Sequence, residues 1–276
     1  VTPSDTREAG TFCLRFDIDT NFTPWRRNNF CSRFGEDEPR FILRLLDWLR
    51  ERNCRAHFFA MGFGVIDYGE SLRQIAQSEY PLDSHLHTHR VTLLDDYNAV
   101  YEEMMTAHHL LASIGARIEG IGATGMYPEG IDGRPDIQEL ILQKGYRWVS
   151  SRWNLTRTLE QMQPYRLPTG LLEIPCAGWS DMTFFHINEQ RALAPEYQVE
   201  RYELSTFTQH VKDMITRAGR EKLDYAICLH PAVLALHDPE MTFLEQVTAH
   251  ARAEGVELVD LRQVHQRHAA VAAAAR

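Results

Sequence analysis

Thr11-Phe12-Cys13-Leu14-Arg15-Phe16-Asp17-Ile18-Asp19 is the stretch whose reading decides the fold. In an extended strand Arg15, Asp17 and Asp19 share one face, and Phe16 and Ile18 share the other. Two carboxylates at the end of an otherwise apolar strand are costly unless they are paired or bound to a cation. A metal ion or Arg15 relieves that cost, and so does a strand end that simply faces water. On this stretch alone all three readings stand.

Working outward, short apolar runs at 11–18, 56–60, 82–85, 117–121, 146–150, 171–175, 225–229 and 256–259 read as strands. Helical periodicity fills the intervals at 40–51, 97–114, 136–144, 206–218 and 241–253, clearest at Phe41, Leu45, Trp48 and Leu49. Gly145 and Gly255 stand where two of these helices must stop before the next strand. Strand followed by helix, repeated in one direction, predicts a parallel α/β sheet, open or closed into a barrel. A distorted (β/α)7–8 barrel is favoured because polar residues recur at strand ends along the whole chain, and a barrel brings such ends to one mouth. No Gly/Pro-rich linker divides the chain, so residues 1–276 read as one barrel domain. The tail at 269–276, rich in alanine, reads as a frayed helix end.

The composition narrows the function. With 29 basic against 38 acidic residues the net charge is −9, which argues against a nucleic-acid phosphate backbone as partner. No apolar run is long enough for a transmembrane helix, and the polar start VTPSDTREAGTF lacks the apolar core of an export signal. Cys13, Cys31, Cys54, Cys176 and Cys228 are odd in number and scattered, with no CxxC pair. They read as reduced thiols in a cytoplasmic protein. Nothing in the sequence specifies an oligomer.

Two further motifs carry chemistry. Ser84-His85-Leu86-His87-Thr88-His89 places three imidazoles within five residues. One helical turn puts His85 and His89 on one face, whereas an extended chain aligns all three. Neutral imidazole is a natural zinc ligand, and solvent-exposed histidines are the plainer reading. His85 and His89 with Asp19 make a two-histidine, one-carboxylate set that leaves positions open for water. The runner-up set is His85 and His87 with Asp17. Ile227-Cys228-Leu229-His230-Pro231 ends an apolar strand in a histidine, which either caps the strand or joins the same mouth.

The order D-x-D after strand one, H-x-x-x-H after strand three and L-H-P on a late strand resembles the polysaccharide deacetylase, or NodB-homology, family over residues 12–261. The resemblance implies a distorted barrel that hydrolyses N-acyl, sometimes O-acyl, groups on sugars or related molecules. It implies Asp17 as base, Asp19, His85 and His89 as metal ligands, and His230 as acid. A nitrogen-rich set of this kind favours Zn2+, with Co2+, Ni2+ or Mn2+ as substitutes. The chain departs from the family pattern twice. The loop at 121–128 lacks the arginine that orients the catalytic aspartate, and 148–152 lacks the acidic partner of the catalytic histidine. The opening Leu-Arg-Phe-Asp-Ile-Asp and the arginine-free glycine loop resemble most the subgroup that deformylates a lipid-linked amino sugar.

The expected activity is therefore metal-dependent hydrolysis of an acetyl or formyl amide on a small or carrier-linked amino sugar. Two alternatives come from other classes: an amidohydrolase-type metalloenzyme, which places H-x-H on its first strand, and a catalytically inactive carbohydrate-binding barrel. Candidate substrate contacts are Arg15, Trp25, Arg26, Arg27, His87, Tyr127 and Trp179. The connection at 20–39 is far longer than the two to six residues typical of such links. Its aromatics and arginines suit a lid over an anionic substrate, a surface excursion pinned to the barrel, or a subunit contact.

Overall fold

The structure is a computed structural model that describes residues 9–19, 38–187 and 203–274. Its centre is β1 (Thr11–Ile18), every residue of which is buried. A strand covered on both faces has to be apolar throughout or satisfy its polar groups internally. β1 does both. Phe12, Leu14, Phe16 and Ile18 join the main core on the helix side, whereas Cys13 faces a second cluster with Phe59, Trp148 and Ala226 inside the barrel.

Parallel strands flank β1 in the order β8 (Asp224–Leu229), β1, β2 (His57–Ala60), β3 (Leu82–Ser84), β4 (Gly120–Tyr127) and β5 (Trp148–Arg152). β7 (Leu172–Glu173) follows β5, and the short β6 (Tyr165–Arg166) adds an antiparallel edge. β9 (Glu257–Leu258) pairs with the first residues of β1. The result is the distorted (β/α) barrel expected from the sequence, curled but incompletely closed. Across the seam between β7 and β8, the Ala177 N–H donates to the Ala226 carbonyl at 3.0 Å.

The helices follow the apolar periodicity. α1 (Glu38–Glu51) buries Phe41, Ile42, Leu45, Leu46, Trp48 and Leu49 against the sheet. α2 (Gly64–Asp67) and α3 (Gly69–Ala76) link β2 to β3, and α4 (Tyr97–Ser113) precedes β4. α5 (Pro135–Gln143) and α6 (Leu204–Glu221) precede β5 and β8. The expected stops hold: Gly145 and Gly255 have φ of 86° and 67°, in the left-handed region that favours glycine. α7 (Pro231–His237) begins immediately after His230, with Pro231 at its first turn. The sequence reading stopped at the strand there, because Ala-Val-Leu-Ala-Leu is apolar on every face and shows no helical period. α8 (Thr242–Ala253) and α9 (Leu261–Ala274) complete the chain, and α9 takes in most of the alanine-rich tail. No helix among the described residues is long and apolar enough to cross a membrane.

Candidate metal and active site

The C-terminal ends of β1, β3 and β8 meet at one mouth, as a barrel requires. β1 delivers Asp17 and Asp19, the loop after β3 delivers His85 and His89, and the end of β8 delivers His230. Asp19 lies at the centre. Its Oδ1 is 3.4 Å from His85 Nε2 and 3.8 Å from His89 Nε2, and its Oδ2 is 3.9 Å from His230 Nε2.

Neither carboxylate oxygen of Asp19 has a hydrogen-bond partner among the described residues, although Asp19 is only 2% exposed. A buried, unpaired carboxylate is expensive, and a cation is the usual remedy. His85 is prepared for that role. Its Nδ1 lies 3.0 Å from the Gly122 carbonyl, which can only accept, so Nδ1 carries the proton and the Nε2 lone pair faces Asp19. Burial lowers the His89 imidazole from its ordinary value, against the pull of Asp19. Burial would raise the Asp19 carboxyl, but His89 and His85 outweigh it and hold Asp19 ionised. The donor atoms of Asp19, His85 and His89 all lie within 4.8 Å of one another, close enough to share one divalent ion.

A second group, Asp17, Cys228 and His230, is equally compact. It suits a cation less well. Burial and then Asp17 push the Cys228 thiol well above its ordinary value, so it stays protonated and its Sγ lies 3.4 Å from Asp17 Oδ2 as a donor. Asp17 is already neutralised. The Arg15 Nε and Nη2 donate to Asp17 Oδ1 and Oδ2, both at 2.7 Å, in a bidentate pair. Burial alone would raise the Asp17 carboxyl, yet Arg15 holds it below the usual carboxylate range.

Arg15, expected as a substrate contact, is turned into the barrel. It is 5% exposed, its remaining Nη1 donates to Ser150 Oγ at 2.8 Å, and its guanidinium lies 4.7 Å over the Phe59 ring. The whole fork is spent inside the barrel. Gly122 leaves room for it, since a Cβ there would come within 2.8 Å of Phe59 and 3.0 Å of Arg15 Nη2. Arg15 thus stands where the missing loop arginine would have been sought. The missing acid is also present, further along the chain. Asp181, in the loop after β7, lies with Oδ1 2.7 Å from His230 Nδ1. Burial would lower the His230 imidazole, but Asp181 outweighs it and raises the group to about 9. An acidic residue in the Gly178-Trp179-Ser180-Asp181 loop was the available signal, but no strand pattern pointed to it.

The remaining candidates lie elsewhere. His87 packs against Phe63, ring centroids 6.2 Å apart, and belongs to neither compact group of donor atoms. Tyr127 is 4% exposed. Its hydroxyl accepts from the Leu93 N–H and donates to the Thr124 carbonyl, a loop brace rather than a substrate contact. Trp179 lines a separate cavity of about 270 Å3 with Leu155, His210 and Tyr225. Trp25, Arg26 and Arg27, with nearly all of the 20–39 connection, fall outside the described residues. The histidine motif is neither a helical turn nor a strand. Leu86 and His89 have φ of 57° and 58°, so a loop with two left-handed residues folds His89 back onto His85, ring centroids 5.3 Å apart.

No protein-family profile matches this chain, and no curated protein matches it in sequence. Solved structures do. A Mycobacterium smegmatis protein described as a polysaccharide deacetylase superposes with a TM-score of 0.71 at 18% identity, covering 96% of this chain and 93% of that one. PuuE allantoinase gives 0.64 at 16% identity, over 93% and 88% of the two chains. A CE4-family pseudoenzyme from Bacillus anthracis gives 0.52 at 9% identity, over 94% and 66%. At these identities the likeness defines the fold, which is that of the polysaccharide deacetylase structures.

Proposed function

We propose that this chain is a metal-dependent amide hydrolase that removes an acetyl or formyl group from an amino sugar or related small molecule. The observation that carries the reading is Asp19, a buried carboxylate whose oxygens find no hydrogen-bond partner among the described residues and whose Oδ1 faces the Nε2 atoms of His85 and His89. Those three residues would hold a divalent ion, Zn2+ by preference for nitrogen donors. When bound, such an ion polarises an acyl carbonyl and lowers the pKa of water.

The chain's own groups divide the proton work. Asp17, ionised and fixed by Arg15, accepts the proton of the attacking water. His230, protonated at neutral pH and fixed by Asp181, donates to the departing nitrogen, which is otherwise too basic to leave. Their environments push one group down and the other up, the separation an acid–base pair needs. A small or carrier-linked substrate is preferred because the opening Leu-Arg-Phe-Asp-Ile-Asp and the arginine-free glycine loop resemble the lipid-linked subgroup.

The test is release of acetate and formate from N-acyl monosaccharides, oligosaccharides and lipid-linked amino sugars by zinc-reconstituted protein. The expected result is zinc-dependent turnover of a small or carrier-linked substrate. Absence of release from every substrate, with sugar binding that survives chelation, would make the barrel a binding module instead.

A further inference from the structure

The backbone at residues 85–89 does not adopt its shape freely. Leu86 and His89 both occupy the left-handed region, which costs L-residues on the order of 1–2 kcal/mol each. Such strain persists only where the surroundings over-determine it. From one side the end of β2 holds the loop by its carbonyls: the Gly62 N–H donates to Leu86 O at 2.8 Å, and the Phe63 N–H to His87 O at 3.1 Å. From the other side one carboxylate takes the loop's donors. Glu103 Oε2 accepts the N–H groups of His87 at 2.9 Å and Thr88 at 2.7 Å, and Oε1 accepts the Thr88 hydroxyl at 2.6 Å.

We propose that Glu103 is a positioning residue for the metal ligands, setting the affinity of the Asp19–His85–His89 site through the backbone of the loop that carries both histidines. The inference rests on the metal reading above. Glu103 touches neither imidazole and acts only through the His87–Thr88 peptide. Its own position is fixed by close helix packing. A Cβ on Gly62 would come within 2.6 Å of Ala107 Cα, so α4 lies directly against the end of β2. Ala107 is one helical turn beyond Glu103 on the same face. The contact that sets the height of α4 therefore also sets the reach of Glu103. The carboxylate takes all three donors with its two oxygens, and a glutamine can keep three contacts with its oxygen for the two N–H groups and its amide N–H donating to Thr88 Oγ.

The test uses the full chain and zinc alone, with affinity measured by competition against a chromogenic chelator and melting recorded on metal-free protein. Glu103→Ala is expected to weaken zinc binding by about 10- to 100-fold, the usual cost of losing a group that orients metal ligands. Glu103→Gln is expected to bind as wild type. Glu103→Asp retains the charge but falls one methylene short, so it should weaken zinc as well, and it serves if the alanine variant fails to fold. Tight zinc binding by wild type and the shortened variants alike would overturn the inference alone. A glutamine variant as weak as alanine would also overturn it, because charge rather than loop geometry would then be acting. Wild-type protein that takes up no zinc would overturn the metal reading itself.

Discussion

Asp181 and His230 are joined twice: the carboxylate takes the backbone N–H of His230 through Oδ2 at 2.6 Å and the ring Nδ1 through Oδ1 at 2.7 Å. The first bond fixes where β8 ends and the second fixes the ring on that end. One side chain therefore sets both the position and the protonation of the imidazole.

Asp181→Asn should move the alkaline limb of kcat/KM to lower pH. In the proposed mechanism His230 is the acid, so activity falls as pH rises through its pKa, about 9 with Asp181 ionised. Without that charge, burial is opposed only by the smaller pull of Asp19 and Asp17, and the imidazole loses its proton at lower pH. A decline of about 10²- to 10⁴-fold at pH 8 is the expected scale for a lost proton transfer. A pH–rate profile whose alkaline limb stays in place would remove Asp181 from this role.

Arg15→Met should destabilise the protein by about 3–5 kcal/mol, because it leaves the Asp17 charge buried without its partner. Arg15→Lys keeps a charge but cannot form the two parallel bonds, so it should fold better and still lose rate. Thermal melting and kcat, measured on both variants, separate the two effects. A lysine variant with wild-type kcat would show that Asp17 needs only a nearby cation.

Asp17→Asn and His89→Ala should fail in different ways. The first should keep its metal, about one ion per chain by elemental analysis, and lose orders of magnitude in rate. The second should lose most of the metal. Full occupancy in a His85→Ala, His89→Ala double variant would place the ion elsewhere.

Glu173, buried on β7, is raised to about 7 by burial against the hydrogen bonds from Ser151 and Arg152. A carboxyl raised in the fold stabilises it most below its unfolded pKa, and that stability is lost as pH rises through about 7. The loss is on the order of 3 kcal/mol between pH 4 and pH 8. Glu173→Gln can keep acceptor and donor contacts without the charge. Its melting temperature relative to wild type should rise across that interval. Parallel melting curves from pH 4 to pH 8 would contradict the assignment.

Much of this was legible in advance because burial imposes patterns. β1 ends where the alternation Arg15, Asp17, Asp19 against Phe16, Ile18 predicted, since a slip by one residue would turn every polar group into the helix layer. What escaped was held by contacts distant in sequence. Asp181 has no periodic neighbourhood, and its meaning comes from a strand that follows 49 residues later. The turn at Leu86 and His89 uses neither glycine nor asparagine, so no residue type announced it. Arg15 was visible on the correct face, but only its bonds to Asp17 and Ser150 show that it is turned into the barrel.

The order of the groups along the chain also sets an order in time. Asp19, His85 and His89 come from β1 and from the loop after β3, joined through β2 in neighbouring register. His230 arrives on β8, which docks on the other edge of β1 across 213 residues of intervening chain at Thr11–Asp224. Chains are made from the N-terminus, and domains generally fold as units. The proposed ligands are therefore synthesised well before the proposed acid and its Asp181 partner. On that reading the site is complete only once β8 has docked beside β1, so its ion-holding and proton-donating halves come from opposite ends of the chain.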